Sequence, residues 1–143
     1  MGEASPVGTV THRGVVYPSE LDHMGHMNVV GYAAKLDQAT WSFFNDIGLT
    51  PSFLRSSGRA AAAVKYETVY ERELLAGDVV TVRTRLTRLG RTSFAFRHEM
   101  WNGETGERVA TADCTGVLID RATRRPVPWP DDLAQRLRAL IPG

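Results

Sequence analysis

The chain has 143 residues, of which 43% are hydrophobic and 23% charged, so we expect one soluble globular domain spanning residues 1–143. Seventeen basic and 16 acidic residues leave a formal net charge of +1, which gives no bulk electrostatic reason to expect a nucleic acid or an anionic membrane as partner. The single cysteine, Cys114, cannot form an intrachain disulfide, and no run approaches the roughly 18 apolar residues of a membrane span. We therefore expect a cytoplasmic location.

The first third of the chain predicts a strand followed by one long helix. β-Branched side chains are frequent in residues 9–17, and Pro18 ends that run. Asn28 is a favourable N-cap, and apolar side chains recur at helical spacing over residues 29–47. The apolar face is wide, so we expect the helix to be buried on more than one side.

The rest of the chain predicts mostly strands. Residues 50–58 contain proline, serine and glycine and predict a loop with at most one helical turn. Four strand-like runs follow, at residues 60–71, 78–89, 92–101 and 107–119. A loop over 121–130 leads to a short amphipathic helix over 131–140. This order predicts an α+β fold, in which a curved antiparallel sheet of about five strands, four of them forming a meander, wraps around the long helix.

The most reactive group of side chains directly precedes the predicted long helix. Asp22, His26 and Asn28 stand within seven positions, where a helix start also offers free backbone N–H groups and the positive end of its dipole. On these residues alone, an aspartate such as Asp22 is more often a turn former or a helix cap than a catalytic group. A metal bound by Asp22, His23 and His26 is a further alternative, but His12 and His98 lie on predicted strands without ligand-like spacing. We expect no metal and no cofactor.

The pattern Asp-x-x-Gly-His-x-Asn, with a tyrosine four residues after the asparagine, resembles the hotdog-fold acyl-CoA thioesterases. The resemblance is to their 4-hydroxybenzoyl-CoA thioesterase branch. The residues that match are Asp22, Gly25, His26, Asn28, Tyr32, Asp37 and the helix end Ile47-Gly48. A second match is Gly77-Asp78 at a strand start, followed by the hairpin Gly90-Arg91-Thr92-Ser93-Phe94. The resemblance covers residues 9–120 and leaves a C-terminal loop and short helix over 121–143.

The resemblance implies a hotdog fold without a bound metal, acting on an acyl-CoA or on an acyl carrier protein thioester. It also implies dimers whose sheets join into one continuous sheet, with the active sites at the dimer interface. We therefore expect a homodimer or a homotetramer.

The resemblance also assigns roles to the residues before the helix. Asp22 acts on the thioester carbonyl, either as nucleophile or as the base for a water molecule. The backbone N–H of Val29 polarises that carbonyl. His26 is suited to orient Asp22, position the water or contact the substrate. Asn28 is a polar site contact as well as an N-cap.

Further candidates are secondary. Asp37 lies on the helix where related branches place a carboxylate, although a helical aspartate paired with arginine is the commoner arrangement. Tyr17 precedes the motif and is a candidate for lining the site. Arg88, Arg91 and Ser93 surround the predicted hairpin turn and are candidates for binding the phosphates of coenzyme A, or are simply solvated surface residues.

Several features of the sequence bear on functions other than thioester hydrolysis. Cys114 is mid-strand and is expected to be packed, and no Gly-x-Ser-x-Gly elbow is present. The hydratase pattern of hotdog proteins places a histidine five residues after the aspartate, next to a proline, whereas His26 follows Asp22 by four. A non-catalytic protein that binds acyl-CoA is the leading alternative, followed by a hydratase or dehydratase. The sequence does not define the acyl group.

Overall fold

A computed structural model describes residues 8–141 of the chain. The elements are β1 (Thr9–Val15), α1 (Val29–Asp46), α2 (Pro51–Ser57), β2 (Arg59–Tyr70), β3 (Val79–Leu89), β4 (Ser93–Asn102), β5 (Arg108–Asp120) and α3 (Asp131–Ala139). A single 3-10 turn, Pro18–Glu20, lies between β1 and α1. The α+β class and the five strands predicted from the sequence are confirmed.

The strands form one antiparallel sheet in the order β1-β3-β4-β5-β2. The predicted four-strand meander is therefore wrong, because only β3, β4 and β5 follow one another in space, and β2 pairs with β5 at the edge. The connection over residues 71–78 carries the chain from β2 to β3, past two strands. Eight extended residues reach about 26 Å, whereas the distance from β2 to β3 is three inter-strand spacings, about 14 Å. The connection is therefore long enough to cross β5 and β4.

Helix α1 packs against one face of this curved sheet, and aromatic side chains fill the space between them. Ring centroids are 5.5 Å apart for Phe43 and Phe96, and 5.6 Å apart for Phe44 and Phe94. Phe94 and Phe96 are two residues apart on β4 and therefore share its inward face. This contact places the start of α1 at the end of the sheet where β3 begins.

The long helix was predicted almost to its ends. Asn28 is its N-cap, with the side-chain Oδ1 accepting a hydrogen bond from the Val30 N–H at 2.8 Å. The predicted burial on several sides is not found within one chain, since Val29, Val30 and Trp41 are 57%, 69% and 55% exposed. Three large apolar side chains on the outer side of α1 are thus uncovered.

Helix α2 replaces most of the loop predicted over residues 50–58. Thr50 caps it by accepting a hydrogen bond from the Phe53 N–H at 3.1 Å, and Gly58 ends it in the left-handed conformation with φ +67°. Only Leu54 is buried, so the helix lacks the periodic apolar face that identifies a helix from sequence. No helix among residues 8–141 is long and apolar enough to cross a membrane.

Candidate active site

The loop that carries Asp22 is closed by its own hydrogen bonds. The Asp22 N–H donates to the His26 carbonyl at 2.9 Å, and the Gly25 N–H donates to the Asp22 carbonyl at 3.0 Å. Gly25 has φ +84°, a conformation that favours glycine. The Oδ1 atom of Asp22 accepts a hydrogen bond from the Met24 N–H at 2.8 Å. One carboxylate oxygen is therefore fixed by the loop, which orients the other.

Two backbone hydrogen bonds attach this loop to the rest of the fold. The Met27 N–H donates to the Leu74 carbonyl, and the Asn28 N–H donates to the Glu20 carbonyl, both at 2.8 Å. A Cβ at Gly31 would lie 2.6 Å from Cγ of Met27, so this first-turn glycine lets the Met27 side chain pack on the helix. The loop, the helix start and the connection over residues 71–78 thus form one unit.

A partly buried ion pair, which was not predicted from the sequence, connects the segment before the Asp22 loop to helix α1. The Lys35 ammonium lies 2.9 Å from Oε2 of Glu20 and also donates to the Val15 carbonyl at 3.3 Å. Oε1 of Glu20 accepts from the Tyr17 N–H at 2.9 Å. Burial alone would raise the pKa of Glu20, but the Tyr17 N–H and the Lys35 ammonium outweigh it and hold that pKa below its usual value.

The backbone N–H of Val29 is a free donor at the helix start. Asn28 accepts hydrogen bonds from the next two N–H groups, those of Val30 through its side chain and of Gly31 through its carbonyl. The Val29 N–H bonds to no acceptor within residues 8–141. A free N–H at the positive end of a helix dipole is suited to bind a carbonyl oxygen that gains negative charge.

A groove of about 450 Å³ contains these groups. Its lining consists of Asp22, Met24, His26, Met27, Val29, Tyr32, Tyr70, Glu71, Arg72 and Glu73. Three predicted site residues, Asp22, His26 and Val29, are therefore brought together. The opposite wall, the end of β2 and the start of the connection to β3, was not predicted, because it is remote from Asp22 in sequence.

His26 has an acidic partner across the groove. Its Nε2 lies 3.0 Å from Oε2 of Glu73, with the two side chains 32% and 71% exposed. Glu73 therefore orients the imidazole ring. This pairing had no signal in the sequence beyond the presence of a glutamate just before the Leu74-Leu75 pair.

Two tyrosines form a corner of the groove. The ring centroids of Tyr32 and Tyr70 are 5.1 Å apart with their planes at 81°, and the Tyr32 hydroxyl donates to the Arg72 carbonyl at 2.9 Å. Burial, and next the negative charge of Glu73, raise the pKa of Tyr32 above its usual value. The Tyr32 phenol therefore stays neutral beside the carboxylates of the groove.

The secondary candidates lie elsewhere. Asp37 lines a separate cavity of about 120 Å³, together with Trp41 and Tyr66. Tyr17 is 65% exposed and does not line the groove that contains Asp22. The structure therefore does not bring these two residues together with Asp22 within one chain.

The hairpin between β3 and β4 lies far from Asp22. Arg88 donates to the Ser93 hydroxyl at 3.1 Å, and the Gly90 N–H donates to the Ser93 carbonyl at 2.8 Å. The Asp22 loop adjoins the beginning of β3, and the hairpin follows its end, so the 11 residues of β3 separate the two by about 36 Å. Within one chain, Arg88, Arg91 and Ser93 do not face the groove.

A buried histidine in the core is separate from the groove. His98 is fully buried, with Nδ1 2.6 Å from the Thr84 hydroxyl and Nε2 2.8 Å from the Thr40 hydroxyl. Burial lowers the pKa of His98 to about 4. Within residues 8–141, no group of three His, Cys, Asp or Glu side chains is placed to hold a metal ion.

The chain belongs to the thioesterase-like superfamily, whose family model matches residues 16–137. A curated relative from Agrobacterium fabrum, L-carnitine dehydrogenase/betainyl-CoA thioesterase, is 31% identical over 129 residues. That match covers 90% of this chain, which spans only 26% of the relative's length.

Solved structures show the same fold. A Staphylococcus aureus protein solved in complex with CoA has a TM-score of 0.84 at 19% identity, covering 99% of this chain and 91% of its own. A 1,4-dihydroxy-2-naphthoyl-CoA thioesterase from Synechocystis has a TM-score of 0.79 at 22% identity. That match covers 93% of this chain and 98% of the Synechocystis chain. The fold predicted from the resemblance is thereby confirmed.

Proposed function

We propose that the chain is an acyl-CoA thioesterase, which hydrolyses a thioester to a free acid and coenzyme A. The observation that carries this proposal is that Asp22 and Val29, whose backbone N–H has no acceptor within residues 8–141, line the same groove. Hydrolysis of a thioester needs an oxygen that attacks the carbonyl carbon and a donor for the carbonyl oxygen. These two groups supply both needs.

The steps follow from that arrangement. The thioester oxygen accepts a hydrogen bond from the Val29 N–H, which polarises the carbonyl. Asp22 then either attacks the carbonyl carbon, forming an anhydride that water opens, or removes a proton from a water molecule that attacks directly. In both routes the carbon–sulfur bond breaks and the coenzyme A thiolate takes up a proton. His26, oriented by Glu73, is placed to move that proton.

Family membership supports this chemistry, as does the word thioesterase in the name of the 31% identical relative. Because this chain spans about a quarter of that relative, its dehydrogenase activity is not carried over. Betainyl-CoA, which the relative's name gives as its thioester, is one substrate to test here. An acyl carrier protein thioester is an alternative form of the substrate.

Thiol release from a panel of acyl-CoAs, followed with a thiol-reactive dye, tests the proposal. We expect turnover of at least one acyl-CoA by the wild type, and its loss in Asp22→Asn, which keeps the size of the side chain. Asp113→Asn is the matched control, since Asp113 lies on β5 outside the groove. Binding of acyl-CoA without thiol release would instead establish a non-catalytic binding protein, and full activity in Asp22→Asn would remove that residue from the mechanism.

We further propose that two copies pair along β2. This 12-residue strand is at the sheet edge and exposes Val64, Tyr66, Val69 and Tyr70, at 64%, 46%, 53% and 49%. An exposed apolar edge strand with unpaired backbone groups is a site for pairing with another strand. Antiparallel pairing would extend the sheet and bring the groove, which Tyr70 lines, to the interface. Light scattering after gel filtration, which gives the mass in solution, distinguishes such a dimer from a tetramer.

Coenzyme A phosphates would then be bound by the second copy. An antiparallel pair reverses one sheet relative to the other, so the hairpin of one copy approaches the groove end of its partner. Arg88 and Arg91 offer two guanidinium groups there, and Ser93 a hydroxyl. We expect Arg88→Ala with Arg91→Ala to raise KM for acyl-CoA and leave kcat nearly unchanged. We also propose a cytoplasmic location, where the buried Cys114 thiol stays reduced.

A further inference from the structure

The edge strand β2 contains a bulge that changes which of its side chains face helix α1. Its register with β5 shifts between Ala63 and Lys65, and Val64 is left without a partner on β5. Side chains alternate between the two faces of a strand, and one extra residue reverses the alternation beyond it. The side chains that face the helix are therefore Arg59, Ala61 and Ala63 before the bulge, and Tyr66, Thr68 and Tyr70 after it.

This reversal favours one register for the proposed antiparallel pairing of two copies along β2. Side chains directly opposite each other in an antiparallel pair lie on the same face of the sheet. All 12 residues of β2 pair, with matching faces, in one register. Its helix-facing pairs are Arg59 with Tyr70, Ala61 with Thr68, and Ala63 with Tyr66. A shift by one residue places helix-facing side chains opposite outward-facing ones, and a shift by two leaves the strand ends unpaired.

Arg59, at the start of β2, has a guanidinium group without a partner in its own chain. It forms no hydrogen bond or ion pair within residues 8–141, and its Nε atom is buried. Asp120 is its neighbour on β5, but the Asp120 Oδ1 atom accepts from the N–H groups of Ala122 and Thr123, at 2.9 and 2.8 Å. A buried polar atom without a partner is uncommon in native proteins. Arg59 is therefore available to a second copy.

The groove at the other end of β2 carries the opposite charge. Glu71 in its lining is paired with Arg108 through two hydrogen bonds of 2.7 and 2.9 Å. In the described part of the chain, neither Asp22 nor Glu73 forms an ion pair with a lysine or an arginine. The groove of one copy thus has two carboxylates that no arginine or lysine of the same copy neutralises.

We propose that Arg59 of the partner subunit completes the groove that contains Asp22. The placement rests on the proposed pairing along β2, and the effect on rate rests on the proposed thioesterase function. Tyr70 lines this groove, and the residue opposite it in the full-length register is the partner's Arg59. That guanidinium offsets part of the charge of Asp22 and Glu73, and it favours the negative charge that develops on the thioester oxygen. The two carboxylates still outnumber this one cation.

Pairs of cysteines test the register without any activity. In Ala61→Cys with Thr68→Cys the thiols of two copies are opposite each other, so oxidation should give a covalent dimer on a non-reducing gel. The two positions are seven residues apart on one strand, about 23 Å, which excludes a disulfide within one chain. Ala62→Cys with Thr68→Cys, whose side chains are on opposite faces, is the matched control. Absence of the covalent dimer, or equal cross-linking in the control, would overturn the proposal.

Single variants test whether the charge of Arg59 matters for the reaction. Arg59→Gln should lower kcat/KM for acyl-CoA about tenfold, because the groove loses a positive charge. Arg59→Lys keeps the charge and should recover most of the loss. Arg136→Gln, on α3 and outside the groove, removes the same charge elsewhere and should keep the wild-type value. Full activity in Arg59→Gln would overturn the proposal.

Mixed pairs test whether Arg59 acts across the interface. A pair with Asp22→Asn in one copy and Arg59→Gln in the other is isolated through two different affinity tags. Because the two copies are related by symmetry, one of its grooves keeps both Asp22 and the partner's Arg59. We expect about half of the wild-type activity from this groove. An activity of about one twentieth would show that Arg59 acts within its own chain, and would overturn the proposal.

Failure of the proposed thioesterase function gives a different result. If no acyl-CoA is hydrolysed, the covalent dimer of Ala61→Cys with Thr68→Cys still supports the placement of Arg59 at the groove. Calorimetric titration with acetyl-CoA then measures its effect, and binding should be several-fold weaker in Arg59→Gln than in the wild type. Equal binding would overturn the role of Arg59 independently of turnover.

Discussion

The Lys35 ammonium lies 2.9 Å from Oε2 of Glu20, and this contact joins the turn before Asp22 to the middle of α1. The side chains are 9% and 21% exposed, so removing one partner leaves a charge with little access to water. We expect Glu20→Gln to lower the free energy of unfolding by about 2 kcal/mol, measured by urea denaturation. A fall in pH should also weaken the contact, since the pKa of Glu20 is held below its usual value and its stabilisation is lost on protonation.

The control is a double-mutant cycle with Lys35→Met, which removes the buried charge. The double variant should lose less stability than the two single variants combined. Strict additivity would show that the pair contributes no coupling energy.

Val29→Pro deletes the proposed oxyanion donor without changing any side chain that reacts. Proline is tolerated at the first position of a helix, and Asn28 before it already has φ −66° and ψ 152°, as a residue preceding proline requires. We expect kcat to fall about 100-fold or more, with little change in thermal stability. Val29→Ala keeps the N–H and should stay close to the wild-type rate. A fully active proline variant would exclude this N–H as the donor.

His98 should make the protein less stable in acid. Its pKa is lowered to about 4 in the folded chain, against the ordinary 6.5, so the unfolded chain binds a proton more readily between these values. Stability is therefore highest above pH 6.5 and is lost as the pH falls towards 4, by about 2 kcal/mol at pH 5. Denaturation at a series of pH values measures it. His98→Gln should flatten the profile, and the same slope in that variant would assign the effect to other groups, among them His12, whose pKa is also lowered by burial and then by Lys35.

Cys114 should resist thiol reagents in the folded protein. Burial raises the pKa of its thiol to about 12, so the reactive thiolate is scarce at neutral pH. A chromogenic disulfide reagent should detect no thiol until guanidinium unfolds the chain, and one thiol afterwards. Stoichiometric labelling of the folded protein would contradict this burial.

Val64→Lys tests the pairing of two copies along β2. A charged lysine on an edge strand blocks strand pairing, so we expect the variant to have the mass of one chain in light scattering after gel filtration. Leu140→Lys, a similar change at a residue 52% exposed beyond α3, should keep the wild-type mass. An unaltered oligomer in Val64→Lys would place the interface elsewhere.

Some elements and site residues could be predicted from the sequence, and others could not. Helix α1 was predictable because its apolar side chains repeat over 18 residues and Asn28 marks its start. The position of β2 at the edge of the sheet could not be predicted, because the alternation of apolar and polar residues is the same in an edge strand as in a central strand. Asp22, His26 and Val29 were predictable as neighbours because they are close in sequence. Glu73 and Tyr70 required the fold, since a loop anchored through Leu74 brings them across the groove.

The carboxylates that line the groove, those of Asp22, Glu71 and Glu73, also affect the release of the product. Hydrolysis turns the uncharged thioester group into a carboxylate, and that new negative charge arises in a groove that Asp22 and Glu73 also line. Like charges repel, most strongly where water is partly excluded. The substrate enters without this repulsion and the acid leaves because of it, so the groove should show weak inhibition by its own acid product.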